Sequence, residues 1–257
     1  MRPIEYQLPK HKQPVFSACK KVLRVFIRRV RVVCLGGGAE NKCLYVANHV
    51  NKMGPVKYDM FFPVCHVKWG AHQMLGNYAS RRAYLRDVLY MQKNGMKRGP
   101  AAFKAFFEAF FSKYFYRGLK FLPTYPDARL VRTVRKSVDV LDDDTALMIY
   151  PENSEDGYHD VMKSFFPGFV LVMEAYFKKH GEDIPVRPVY YHKKKRLMVV
   201  GEECCLQDFS RNGYDRKGIA EIFKDKVNDL YARIESGEFD LPASEKRGKR
   251  GKKQKNP

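Results

Sequence analysis

Short apolar runs separated by stretches of helical period constrain this chain more than any other feature. Residues 44–47 (LYVA), 119–122, 146–150 (ALMIY), 184–191 (IPVRPVYY) and 197–200 are brief and rich in β-branched or aromatic side chains, which marks buried strands. Between them apolar residues recur at helical spacing: in 59–92 with breaks near Pro63 and Gly70, in 127–141, in about 166–179, and in 216–235. Strands alternating with helices predict an α/β fold, a mostly parallel central sheet flanked by helices. Residues 16–35 read as a further helix, basic and amphipathic, with Val22, Phe26 and Val30 on one face and Lys20, Arg24 and Arg31 on another; Gly36, Gly37 and Gly38 end it. The expected division is a basic lead and amphipathic membrane-surface helix over 1–38, one α/β domain over 39–243, and a disordered basic tail over 244–257.

Charge narrows the partners. The formal net charge is +20 over 257 residues, and it is concentrated at the ends: 1–31 hold nine Lys or Arg against Glu5, and 244–257 hold seven against Glu245. Such flanks suit an anionic surface, either lipid or nucleic acid. No zinc-finger spacing or RNA-recognition aromatic motif is present, so an anionic membrane surface is the expected partner and nucleic acid is not. The helix over 16–35 would lie in the plane of that surface, although an ordinary helix packed on the body of the protein explains the same pattern. The six cysteines lack metal-ligand spacing, and neither a secretory signal nor an apolar run long enough to cross a bilayer is found. Reduced thiols, no metal, and a peripheral position on the cytoplasmic face of a membrane are therefore expected.

Two loops carry the candidate chemistry. The first strand ends in Asn48-His49, a turn at Gly54-Pro55 follows, and Asp59 is typed to cap the next helix. An imidazole steadied by a carboxylate is a candidate general base, while a loop histidine beside a capping aspartate is the plainer reading of this segment alone. The second loop, Tyr150-Pro151-Glu152-Asn153-Ser154, leaves another apolar strand. In a parallel sheet both loops open on the C-terminal edge, where His49 and Glu152 would meet. His66 and His72 have no carboxylate at ligand spacing and read as structural. The stripe of aromatics in 101–116 reads as core, though its size would also suit an acyl-chain groove.

These blocks, in this order, resemble the glycerolipid acyltransferase family, which includes lysophosphatidic acid acyltransferases. The Asn48-His49 to Asp59 segment resembles the family's Asn-His-x4-Asp block, and Tyr150 to Asp156 resembles Phe-Pro-Glu-Gly-Thr-Arg-Ser. Phe166 and Gly168 match a later phenylalanine and glycine, and 184–189 (IPVRPV) is similar to the Val-Pro-x-x-Pro-Val block. The resemblance covers roughly residues 40–200. It implies transfer of a fatty acyl group from a thioester donor, acyl-CoA or acyl-ACP as co-substrate with no bound cofactor, to the hydroxyl of a lysolipid acceptor. It implies His49 as general base and Asp59 as its support, with Glu152, Asn153, Ser154, Glu155, Arg129 and Gly168 around the substrate.

Three departures qualify it. The spacing from His49 to Asp59 is five residues longer than the family's, so the intervening loop must bulge for the pair to meet. Glu155 and Asp156 stand where the third block carries an arginine and the residue after it. The second block lacks its arginine, and Arg129 and Arg132 are the nearest downstream. Since a guanidinium is the natural clamp for phosphate, the expectation is an acceptor other than lysophosphatidic acid, engaged by Glu155, Asp156 or His159. A catalytically inactive lipid-binding member of the fold and a basic nucleic-acid-binding protein are the alternatives.

Overall fold

The computed structural model of the chain describes residues 14–51 and 53–240; the proline-containing lead and the basic tail lie outside the described residues. Seven strands form one sheet: β1 (Arg31–Cys34), β2 (Leu44–Ala47), β3 (His66–Ala71), β4 (Phe121–Thr124), β5 (Ala146–Ile149), β6 (Val186–His192) and β7 (Leu197–Val200), in the order β1-β7-β6-β2-β5-β3-β4. Neighbours are parallel except β6 and β7. Only a short turn joins those two strands, and a parallel pair would need a crossover of a dozen residues or more. The helices are α1 (Pro14–Phe26), α2 (Gly54–Phe61), α3 (His72–Leu75), α4 (Tyr78–Ala83), a π-helix (Tyr84–Gln92), α5 (Arg98–Gly118), α6 (Leu130–Asp142), α7 (Val170–His180), α8 (Leu206–Arg211) and α9 (Arg216–Glu235).

The α/β architecture expected from the alternating pattern is the one observed. Strand β2 lies mid-sheet between β6 and β5 and is buried along its whole length. Its Leu44 and Val46 join the core shared with α6, α7 and α9, and its Tyr45 and Ala47 join a second core with Tyr58 and Phe62 on the opposite face. A strand covered on both sides reads as a continuous apolar run, which is why LYVA and ALMI were legible.

Three local expectations are corrected. The helix expected over 16–35 stops at Phe26, and residues 31–34 form β1, which runs parallel to β7; the Arg31 amide donates to the Arg196 carbonyl at 2.9 Å. Its β-branched valines fit helical spacing but are better used against a neighbouring strand. Within the supposedly helical 59–92, residues His66–Ala71 form β3, between β5 and β4. Lys68 and Gly70 interrupt its apolar pattern, yet Lys68 is wholly buried. Asp59 does not cap a helix: α2 begins earlier, at Gly54-Pro55, where proline in the first turn forfeits no hydrogen bond.

The aromatic stripe is the fourth correction. Helix α5 buries Ala101, Ala105, Ala109 and Ser112 and turns its phenylalanines outward. Both faces repeat at helical spacing, so periodicity alone does not choose between them. The small face allows close approach to the π-helix and α4, which pack against it. Among the described residues no helix is long and apolar enough to cross a membrane, and the six cysteines are free thiols.

Candidate active site

The C-terminal ends of β2 and β5 lie side by side, so the loops leaving them share one edge of the sheet. Asn48 anchors the first loop. Its buried side-chain oxygen accepts from the Tyr58 hydroxyl and from the Tyr191 amide, both at 2.8 Å, and its amide group donates to the Tyr191 carbonyl at 3.2 Å. The ends of β2, α2 and β6 are thereby tied together. Beyond His49 the chain turns sharply, with Val50 and Asn51 in the left-handed region at φ 53° and 73°. A β-branched residue there is strained, and such strain is held where surrounding contacts fix the backbone.

Gly54 closes the turn. A Cβ at this position would lie 1.8 Å from the His49 carbonyl oxygen. Gly54→Ala is therefore expected to push the His49 loop away from the sheet edge and to lower the melting temperature. A thermal melt beside the NMR resonances of the His49 ring reads the effect; a melt and ring resonances like those of wild type would contradict this account of the loop.

The His49 amide donates to Glu152 Oε2 at 3.3 Å, joining the two loops as the sequence predicts. The imidazole stacks on Tyr158 at 5.0 Å and meets the edge of Tyr150 at 5.2 Å, so aromatic packing orients it. Burial, together with the cation of Lys93 and against a backbone contact with Asn51, lowers its pKa from 6.5 to about 4. The ring is neutral at pH 7. Glu152 is buried, and burial raises its pKa against the backbone N–H groups of His49 and His159 and the charge of Lys93.

The expected contact between His49 and Asp59 is absent. Asp59 receives Lys20 Nζ at 2.8 Å and Lys68 Nζ at 2.7 Å on its two oxygens. Burial would raise its pKa, but Lys68 and Lys20 outweigh that and hold it well below the carboxylate range. Lys68, with no exposed surface, also donates to the Leu119 carbonyl at 3.0 Å. Asp59 is thus the counter-ion of a buried lysine. The lengthened loop does bulge, but α2 carries the carboxylate to β3 instead of to the imidazole.

Lys93, just past the π-helix, is the residue the sequence reading missed. Its ammonium donates to Ser154 Oγ at 2.6 Å and lies 5.2 Å from the centre of the Tyr158 ring. No motif marks it; a helix widened by a π segment, a frequent companion of functional sites, delivers it. Asn153 shapes the loop, its amide donating to the Ser164 carbonyl at 3.0 Å and its Oδ1 accepting from the Glu155 amide at 3.2 Å. Glu155 is exposed on that loop. Arg129 is exposed, pairs with Asp127 and lies over Tyr125; Gly168 packs against Trp69. His66 and His72 each place Nδ1 on a backbone carbonyl, of Val64 at 2.9 Å and of Thr124 at 3.1 Å.

Around this edge, His49 Nδ1, Glu152 Oε1 and His159 Nε2 are buried without a hydrogen-bond partner among the described residues. Three such atoms fall on these two adjoining loops; His66 Nε2, Arg82 Nε, Asp183 Oδ1 and Arg187 Nε share the condition elsewhere in the fold. No protein-family model matches this sequence, and no curated protein matches it. The solved structure of the 1-acyl-sn-glycerophosphate (LPA) acyltransferase PlsC from Thermotoga maritima is similar over 85% of this chain and 80% of that one, at 17% identity and a TM-score of 0.45. A likeness of that degree carries no functional assignment, which rests instead on the residues of this chain.

Proposed function

We propose that the protein transfers a fatty acyl group from a thioester, on coenzyme A or acyl carrier protein, to the hydroxyl of a lysolipid. The observation that carries this reading is the meeting of His49 and Glu152 at one strand edge with unpaired buried nitrogen and oxygen atoms. The motif order that resembles the glycerolipid acyltransferases supports it. In this reading the acceptor hydroxyl loses its proton to the neutral imidazole of His49 as its oxygen attacks the thioester carbonyl. The carbon–sulfur bond then breaks, and the thiolate leaves with the proton from the imidazolium. The acceptor oxygen is the nucleophile, so no acyl-enzyme forms. Glu152 lines the acceptor pocket, and Lys93, held by Ser154 and Tyr158, is the cation that adds to burial in keeping the His49 imidazole neutral. Asp59 supports the site through its ion pair with Lys68, which ties α2 to β3.

The pH dependence tests the part given to Lys93. Wild-type kcat/KM is expected to hold down to a limb near pH 4, where His49 takes a proton. Removing a neighbouring cation favours the charged imidazole, so Lys93→Met should move that limb upward, toward the ordinary value of 6.5. A limb that stays in place would remove Lys93 from the site.

A second reading, a lipid-binding protein without turnover, draws on one observation: the Asp59 carboxylate is committed to Lys20 and Lys68. Mass spectrometry of lipids formed by the purified protein from mixed lysolipids and acyl thioesters separates the two. New diacyl products support transfer, and bound but unaltered lipid supports the alternative. The same panel identifies the acceptor: with Glu155 exposed beside the site, a product other than phosphatidic acid is expected to dominate.

A further inference from the structure

We propose that the aromatic face of α5, more than the basic helix α1 that the sequence points to, is the docking surface for an anionic lipid bilayer. The proposal deepens the acyl-transfer reading, and rests on it, by assigning the surface through which lipid reaches the protein. Phe103, Phe106, Phe107, Phe110, Phe111 and Tyr114 are 51% to 73% exposed. From first to last they span roughly 16 Å of helix at 1.5 Å per residue. Edge-to-face contacts at 5.1 to 5.3 Å link Phe103, Phe106 and Phe107, and Phe110 with Phe111. Between them runs an open groove of about 600 Å³, lined by Pro100, Phe103, Phe107 and Phe111 with the stems of Lys104 and Glu108. A continuous apolar surface of this kind is rare on a soluble monomer and marks an interaction site.

Charge selects the occupant. Helix α5 carries Arg98, Lys104, Lys113 and Arg117 against a single acid, Glu108, which accepts from the Tyr90 hydroxyl. Arg82 of α4 lies 5.7 Å from the centre of the Phe106 ring. Two copies of this face brought together would oppose cation to cation. A bilayer instead offers acyl chains to the rings and anionic phosphates to the basic rim. The surface also continues onto α1: Phe16 meets Phe115 at 6.2 Å, while Val22, Val25 and Phe26 are exposed beyond it. The π-helix packs on α5, and Lys93, just past its end, acts on the imidazole of His49.

The test is co-sedimentation of the full chain with phosphatidylcholine vesicles, with and without phosphatidylglycerol. Wild type is expected to partition onto the anionic vesicles. Phe107→Glu combined with Phe110→Glu should lower that partitioning by at least about tenfold, with circular dichroism unchanged because both rings are exposed. Three results overturn the proposal: unchanged partitioning of this variant, loss confined to Val25→Glu with Phe26→Glu on α1, or a wild-type dimer that the α5 variant dissociates without any vesicle binding. Turnover of wild type on a short-chain, water-soluble lysolipid and thioester is measured alongside. Vesicle binding without turnover would leave the docking surface standing and end the acyl-transfer reading; turnover without vesicle binding would do the reverse.

Discussion

Replacing His49 by alanine is expected to lower acyl transfer by about 10²- to 10⁴-fold, the range a positioned general acid–base supplies. The side chain sits at a loop, partly exposed, against Tyr150 and Tyr158, so its loss removes little core packing. The unfolding midpoint should therefore change far less than the rate. Vesicle binding should persist, because the docking face lies on α5 and not on this loop. Product formation from a fixed thioester and lysolipid, read beside urea unfolding, measures both. Unaffected turnover in a folded His49→Ala protein would refute the base assignment.

Asp59→Ala is expected to act in the opposite sense, on stability first. Lys68 is without exposed surface and Asp59 is its acidic partner at 2.7 Å; removing one member of a buried pair leaves the other charge uncompensated, at a cost of about 3–5 kcal/mol. Urea unfolding should show that loss, and Lys68→Met in the same protein should recover much of it, since an apolar side chain there has no charge to desolvate. The carboxylate has an ordinary pKa of 3.8 and a lower one when folded. Its contribution is therefore complete above pH 3.8 and is lost as pH falls through the folded value, adding to acid unfolding. A role beside the imidazole would give a different pattern: reduced kcat at unaltered stability, with a displaced pH limb.

The contrast between His49 and Asp59 shows how far the sequence is readable. Buried strands with uninterrupted apolar runs, β2, β5 and β7, announce themselves because both faces are covered; β6 is legible despite Arg187 through its β-branched and aromatic neighbours, and α9 over Arg216–Glu235 follows from one clear apolar side. Placement of His49 and Glu152 at one edge follows from parallel strand direction alone. Strand β3 was hidden because a lysine buried with an ionic partner looks polar in sequence. That same partner is Asp59, so one unseen ion pair accounts for two misreadings, the missing strand and the supposed catalytic dyad. On α5 the binary pattern was visible and its polarity was not: a face of alanine buries readily against other helices, leaving the larger side chains outside. Lys93 depends on the course of a π-helix over nine residues, which no short-range pattern encodes.

The most direct test of the central claim, that two loops at one strand edge perform acyl transfer through His49, is a single turnover with a thioester labelled in its acyl group. The account predicts that label passes to the hydroxyl of a lysolipid in wild type, without an acyl-protein species on the way, and that His49→Ala stops it. Label retained on the thioester for every lysolipid offered to a folded wild-type protein, or label captured covalently by the protein, would contradict it.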